Sequence, residues 1–284
     1  MSSRCRDRVV ASLLLAALLL FASAATAQAA PPLRVCADPD NPPYSERTTA
    51  ERTTAPHAAS GVEVRIAEEL AQALGRPLEV HWQPLQRGFV RKTLGEGLCD
   101  VLIGVPAGFE RVVTTRPYYR STYVFVTRRD ERKPLRDFDD PRLPRLRIGV
   151  QLPGDDLAAT PPGHALARHG AIERVVGYTP YGDVPSAQRM LDDLRAGRLD
   201  AALVWGPQAG WFAATGHPAL QVTPARTPAD VDQPFDFAIA LGVRRGNTAL
   251  RDALQSALDS RREAIEAILD AYHVPRVALA RPTP

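Results

Sequence analysis

Short apolar runs alternate with amphipathic stretches from residue 33 to residue 272, the pattern that an α/β sheet requires. Runs at 33–37, 78–82, 100–105 and 118–127 predict strands, the last of them rich in Tyr, Val and Phe. Between the first two, 62–74 predicts a helix with Ile66, Leu70, Ala73 and Leu74 on one face and Gly75 as its stop. A shorter helix is predicted at 89–94. A second series follows, with strands at 146–150, 175–178, 201–204 and 220–223 and helices near 157–168, 186–196 and 207–215. The run 237–243 predicts a closing strand. One long helix then starts at an Asn247 or Thr248 cap and buries Leu250, Leu254, Leu258, Ile265, Ile268, Leu269 and Tyr272.

The first residues do not fit this alternation. Arg4, Arg6 and Arg8 precede the apolar run 9–21, and small residues follow, ending Ala25-Thr26-Ala27-Gln28-Ala29. This predicts a secretory signal peptide over residues 1–29, cut after Ala27 or Ala29. The apolar run is short of the roughly 20 residues of a spanning helix, and Cys5 lies ahead of it, where a lipoprotein cysteine cannot be. The mature chain is therefore expected in the periplasm without a membrane anchor. The 284 residues allow one large domain or two of about 100–150 residues. Lys plus Arg is 35 against 32 for Asp plus Glu; without residues 1–29 the balance is 32 against 31. That near-neutrality gives no footing to a nucleic-acid partner.

Export leaves Cys36 and Cys99, which predicts either one disulfide or two buried thiols. The stretch 128–147 carries eight basic and five acidic residues and reads as a solvated connector. Glu46-Arg47-Thr48-Thr49-Ala50 is repeated at once in 51–55, and reads as an inserted surface loop. Catalytic and cofactor signatures are missing: there is no G-x-S-x-G, H-E-x-x-H, C-x-x-C, Walker A or G-x-G-x-x-G. Asp38-Pro39-Asp40-Asn41 starts like a calcium loop, but Pro43 and Thr49 stand where that loop needs Gly and Glu. No metal and no cofactor is expected.

The order of elements, with Pro42-Pro43-Tyr44, Gly97-x-Cys99-Asp100-Val101, Pro117-Tyr118-Tyr119 and Gly197-Arg198-Leu199-Asp200-Ala201, resembles the type II periplasmic solute-binding fold and its amino-acid-binding branch. A narrower resemblance covers almost the whole mature chain. Val35-Cys36-Ala37-Asp38-Pro39, Arg87-Gly88-Phe89-Val90-Arg91, the run from Thr115 to Val126, Val204-Trp205-Gly206-Pro207 and Tyr272-His273-Val274-Pro275 are similar to the MoxJ/XoxJ-like binding proteins that accompany PQQ-dependent methanol dehydrogenases. The doubled pentapeptide departs from that subgroup.

The resemblance implies an α/β, two-lobed type II binding protein whose lobes are joined by two crossing hinge strands near 126–130 and 230–235. It places one lobe at 30–126 and 235–284 and the other at 127–234. Amino-acid binders of this kind hold the ligand carboxylate with an arginine and its ammonium group with an aspartate; here those positions are Phe109 and Trp205. Gly154-Asp155-Asp156 opens the helix that would otherwise meet the ligand carboxylate, and carboxylates there repel an anion. Stripping a zwitterion of water without replacing its partners costs several kcal/mol, so the cleft is expected to refuse free amino acids. Tyr44, Trp82, Arg87, Phe109, Tyr118, Tyr119 and Trp205 are the candidate cleft residues.

The function implied is that of a non-catalytic accessory factor of a PQQ-dependent alcohol dehydrogenase and its cytochrome c. It would hold a small apolar ligand or peptide segment, and PQQ would reside only in the partner. The alternative is a transport receptor passing a small apolar or aromatic solute to an ABC permease. An enzyme on this scaffold would need a carboxylate or histidine facing the crevice, and neither anchor position offers one.

Overall fold

The computed structural model describes residues 30–47, 59–129, 134–152, 160–179, 184–218 and 220–279. The chain divides into Met1–Pro31 and Pro32–Pro284, and every described element lies in the second unit. The signal peptide, most of the doubled pentapeptide and the Gly154-Asp155-Asp156 helix start lie outside the described residues.

The first lobe begins with β1 (Leu33–Ala37), β2 (Asp40–Asn41), β3 (Ser45–Arg47), β4 (Ala59–Ser60) and α1 (Val62–Ala73). It continues through β5 (Leu78–Trp82), a π-helical turn at Arg91–Gly95, β6 (Val101–Pro106) and β7 (Val113–Thr114). After the long strand β8 (Tyr119–Arg128) come β9 (Ile148–Gln151), α2 (Pro161–Arg168), β10 (Val175–Tyr178) and α3 (Ser186–Arg195). β11 (Ala201–Trp205), α4 (Gly206–Thr215) and β12 (Leu220–Pro224) complete that lobe, and β13 (Asp236–Val243), α5 (Thr248–Ser260) and α6 (Arg262–Ala271) return to the first.

One sheet runs through both lobes in the order β10-β9-β11-β8-β13-β6-β1-β5, with β12 also on β8 and β7 on β13. β8 makes the crossing. Its Tyr119–Thr122 half pairs with β13, and from Tyr123 onward it pairs with β11 and β12. The return crossing is at Phe235–Asp236, beside the first: the Tyr123 amide donates to the Phe235 carbonyl, and Asp236 faces Thr122. The exchange of partners on β8 therefore falls a few residues before the stretch 126–130.

Each lobe has its own core. Ile66, Ala67 and Leu70 of α1 pack with Leu254, Leu258, Ile265 and Leu269 against the β1, β6 and β13 strands. Met190, Leu191 and Leu194 of α3 pack with Val124, Val126, Ala202 and Val204 in the second. Full burial of such a side chain contributes about 1.5–3 kcal/mol. The same kind of tie recurs within each lobe. Arg34, in β1, sends Nη2 and Nε to the two carboxylate oxygens of Asp100 at 2.7 and 3.2 Å and Nη1 to the Gly97 carbonyl. Arg147, just before β9, repeats this with Asp200 and the Gly197 carbonyl. The Gly-x-x-Asp pieces in the sequence are thus fastenings between the start of a strand and the loop leading into its neighbour.

Three expectations are corrected. The single long C-terminal helix is two, parted at Arg261 (φ −107°, ψ 16°), where Arg261 and Arg262 stand at the positions three and four residues after Leu258 that would continue the apolar stripe. The stretch 128–147 is more than a solvated connector: Leu135, Phe138 and Leu143 are buried, with Phe138 between Phe125 and Phe235 at 5.3 Å each. The first two residues of the doubled pentapeptide, Glu46 and Arg47, are strand and pair with Ser60 and Ala59 of β4.

Candidate functional site

Strand pairing explains how rings collect at the crossing. Side chains alternate along a strand with period two, so Tyr119 and Tyr123 share a face of β8. Tyr119 pairs with Ile239, Ser121 with Phe237, and Tyr123 with Trp205. The Tyr123 and Trp205 rings meet edge-on at 5.3 Å, and Trp205 meets Phe237 in the same way at 5.7 Å, an arrangement worth about 0.5–1.5 kcal/mol per pair beyond burial. Gln151 fixes the Trp205 backbone by accepting from its amide at 3.3 Å. Tyr44 closes this cluster on the same wall as Trp205.

These residues wall a cavity of about 610 Å³ between the β1, β6, β8 and β13 strands and the loop before α1. Phe89 and Phe109 extend the wall and pack beside the Cys36–Cys99 disulfide, whose Cα atoms are 5.4 Å apart. Leu85, 60% exposed, lies at the mouth. Burial pushes the Tyr44, Tyr118 and Tyr119 hydroxyls well up and that of Tyr123 to about 12, so all four are neutral donors at physiological pH.

The cavity also holds charge. Glu63, in the first turn of α1, turns its carboxylate onto Gly104, where an added Cβ would overlap its Oε1. Desolvation lifts its pKa from 4.5 to about 7, with no cation near enough to offset it. Asp38 lies at the edge, its carboxylate accepting from the amides of Asp40 and Leu85. Arg111, exposed, lines both this cavity and a neighbouring pocket.

Tyr44, Phe109, Tyr119 and Trp205, foreseen in the cleft, line this cavity; three other candidates do not. Tyr118 turns into the first-lobe core and donates to the Ile103 carbonyl at 3.0 Å. Trp82 ends β5, the edge strand, and so lies beyond β1 from the cavity. Arg87 is exposed while its neighbours Gln86 and Gly88 line the mouth. Glu63, Tyr123, Phe237 and Arg111 were not foreseen, and the expectation of a cleft free of charged grips is corrected by Glu63 and Arg111.

The sequence profile of the bacterial extracellular solute-binding proteins, family 3, matches residues 33–274. The chain belongs to that family. Among curated relatives, MoxJ of Methylorubrum extorquens is 31% identical over 277 residues, covering 89% of this chain and 86% of its own. MoxJ of Paracoccus denitrificans is 30% identical over 278 residues, covering 92% and 94%. Among solved structures, the periplasmic binding protein XoxJ from Methylobacterium extorquens AM1 matches with a TM-score of 0.70 at 34% identity, over 87% of this chain and 100% of that one. An ancestral cationic amino-acid solute-binding protein matches at 0.65 and 19% identity, over 85% and 95%, and bears on the fold alone. The two-lobed type II architecture is thus that of family 3 binding proteins, and among the described residues no helix is long and apolar enough to cross a membrane.

Proposed function

We propose that this chain is an exported, non-catalytic family 3 binding protein that serves as accessory factor to a PQQ-dependent methanol or alcohol dehydrogenase, aiding its maturation or activation through the interlobe cavity. The observation that supports it best is the coincidence of the subgroup motifs with the cavity's architecture. The run from Thr115 to Val126 contributes Tyr119 and Tyr123, and Val204-Trp205-Gly206-Pro207 contributes Trp205. The MoxJ and XoxJ relatives match along nearly their whole length. Rings stand at the two positions where amino-acid binders keep charged grips, which favours a role other than amino-acid capture. The dehydrogenase, with its cytochrome c, is the partner, and PQQ belongs to that enzyme.

Deleting the gene and measuring periplasmic alcohol oxidation with PQQ supplied tests this. Loss of oxidation, restored by the gene in trans, is the expected result; unchanged oxidation rejects the accessory role and leaves the transport receptor as the reading.

A further inference from the structure

Rings alone would suit a neutral apolar guest, and Glu63 argues against one. Its carboxylate has no hydrogen-bond or ion-pair partner among the described residues. Its charge acts on the hydroxyls of Tyr44, Tyr118 and Tyr119, so it stands close to that ring cluster. Above pH 7 a neutral guest covering it would seal an unpaired carboxylate from water or bind only once it has taken up a proton, and either weakens such a guest. Of the other charged groups on the wall, Asp38 already accepts from two backbone amides and Arg111 is exposed at the border of the next pocket.

We infer that the cavity binds a small organic ammonium ion, with its alkyl groups against Trp205, Tyr119, Tyr123 and Phe237 and its charge balanced by Glu63. A cation over an aromatic face is attracted by the negative face of the ring, most strongly over tryptophan, and a carboxylate beside the rings adds the opposite charge. The cavity volume of about 610 Å³ is that of a small-ligand site. An amino acid would bring a carboxylate as well; Phe109 stands where the resemblance puts its arginine, and Arg111, the one guanidinium on this wall among the described residues, is exposed at the border of the next pocket. The inference concerns the cavity alone and stands whether or not the dehydrogenase is the partner. Free amines and lysine side chains carry the same head group, and the test separates them.

Calorimetry on the full mature chain at pH 8 uses choline, its uncharged isostere 3,3-dimethylbutan-1-ol, and the blocked peptide acetyl-Ala-Lys-Ala-amide. Choline is expected to bind at least about tenfold more tightly than the isostere, and Glu63→Gln, shown by circular dichroism to be folded, is expected to erase that difference. Lowering the pH to 6 should weaken choline about tenfold as Glu63 takes up its proton, since the facing tyrosines stay neutral. Gly104→Ala, which displaces the Glu63 carboxylate, is expected to weaken choline without unfolding the chain. Displacement of choline by the lysine peptide assigns the head group to a protein segment, and failure to displace assigns it to a free amine; both keep the ammonium chemistry. Equal affinity for choline and its isostere, no choline binding, or unchanged discrimination in Glu63→Gln overturns the inference.

Discussion

Glu63 sits on the apolar stripe of α1, ahead of Ile66, Ala67 and Leu70, and its carboxylate faces the cavity. Its pKa of about 7 against 4.5 ordinarily means that between those values the folded chain keeps a proton the unfolded chain has lost. Stability therefore falls as pH rises from about 4.5 to about 7, and the whole cost is present above 7. Glu63→Gln removes the cost. It is expected to be about 1–2 kcal/mol more stable at pH 8, a figure reduced because Glu63 keeps part of its surface open, and no more stable at pH 4. Urea melts at the two pH values check this, and an equal gain at both would show that ionisation is not the cause. A carboxylate in register with Ile66, Ala67 and Leu70 is a signal the sequence carries, but Glu63 was not foreseen, because at the first turn of a helix a glutamate ordinarily faces solvent. Phe109 and Trp205 were legible only through the family resemblance, which puts the amino-acid grips eight residues before Pro117 and five after Asp200. Tyr123 and Phe237 were not, because which face of β8 and β13 meets the cavity depends on pairing across lobes. Trp82 and Tyr118 misled for the same reason: a tryptophan at a strand end is rim or core according to strand order, and adjacent tyrosines take opposite faces.

Among the elements, the strands and most helices follow from local patterning, and the departures mark where tertiary contacts decide. Arg261 parts α5 from α6, and β2, β3 and β4 form a small sheet from pieces too short to show a period. The repeated Arg–Asp tie is the clearest element-level device. Hydrogen bonds from Arg147 hold the Asp200 carboxyl below its ordinary range, with burial opposing. Its contribution is present above pH of about 3.8 and is lost as pH falls through the lower, folded value. Asp200→Asn is expected to cost about 0.5–1 kcal/mol at pH 7, modest because Arg147 is half exposed, and progressively less as pH falls below about 3.8. Denaturant melts across that range measure it, and a cost that persists in acid would assign Asp200 a role other than charge pairing. The disulfide acts on the neighbouring loop. It closes a separation of 63 residues, and Cys36→Ala with Cys99→Ala is expected to lower stability by about 3–4 kcal/mol in the same melts; a loss below about 1 kcal/mol would contradict a constraining role.

Across the whole molecule, pieces far apart in sequence meet at the crossing. Beyond α6, Tyr272 stacks on Trp211 of α4 at 4.9 Å, and the Pro275 carbonyl accepts from Ser121 Oγ at 2.6 Å. The Val277 amide donates to the Arg120 carbonyl, and Gly210 lies so close to the His273 carbonyl that a Cβ would overlap it. The C-terminal Tyr-His-Val-Pro segment therefore bridges α4 of the second lobe to β8, beside the Trp205-Gly206 turn. A receptor that releases its ligand to a permease opens and closes between its lobes, and this strap adds a third connection to the two crossing strands. Under the proposed function, the cavity has left amino-acid capture for recognition by rings. Calorimetric titration of the full mature chain with each free amino acid tests it most directly. No binding tighter than about 1 mM is expected for any of them, and micromolar binding of even one free amino acid would contradict recognition by rings.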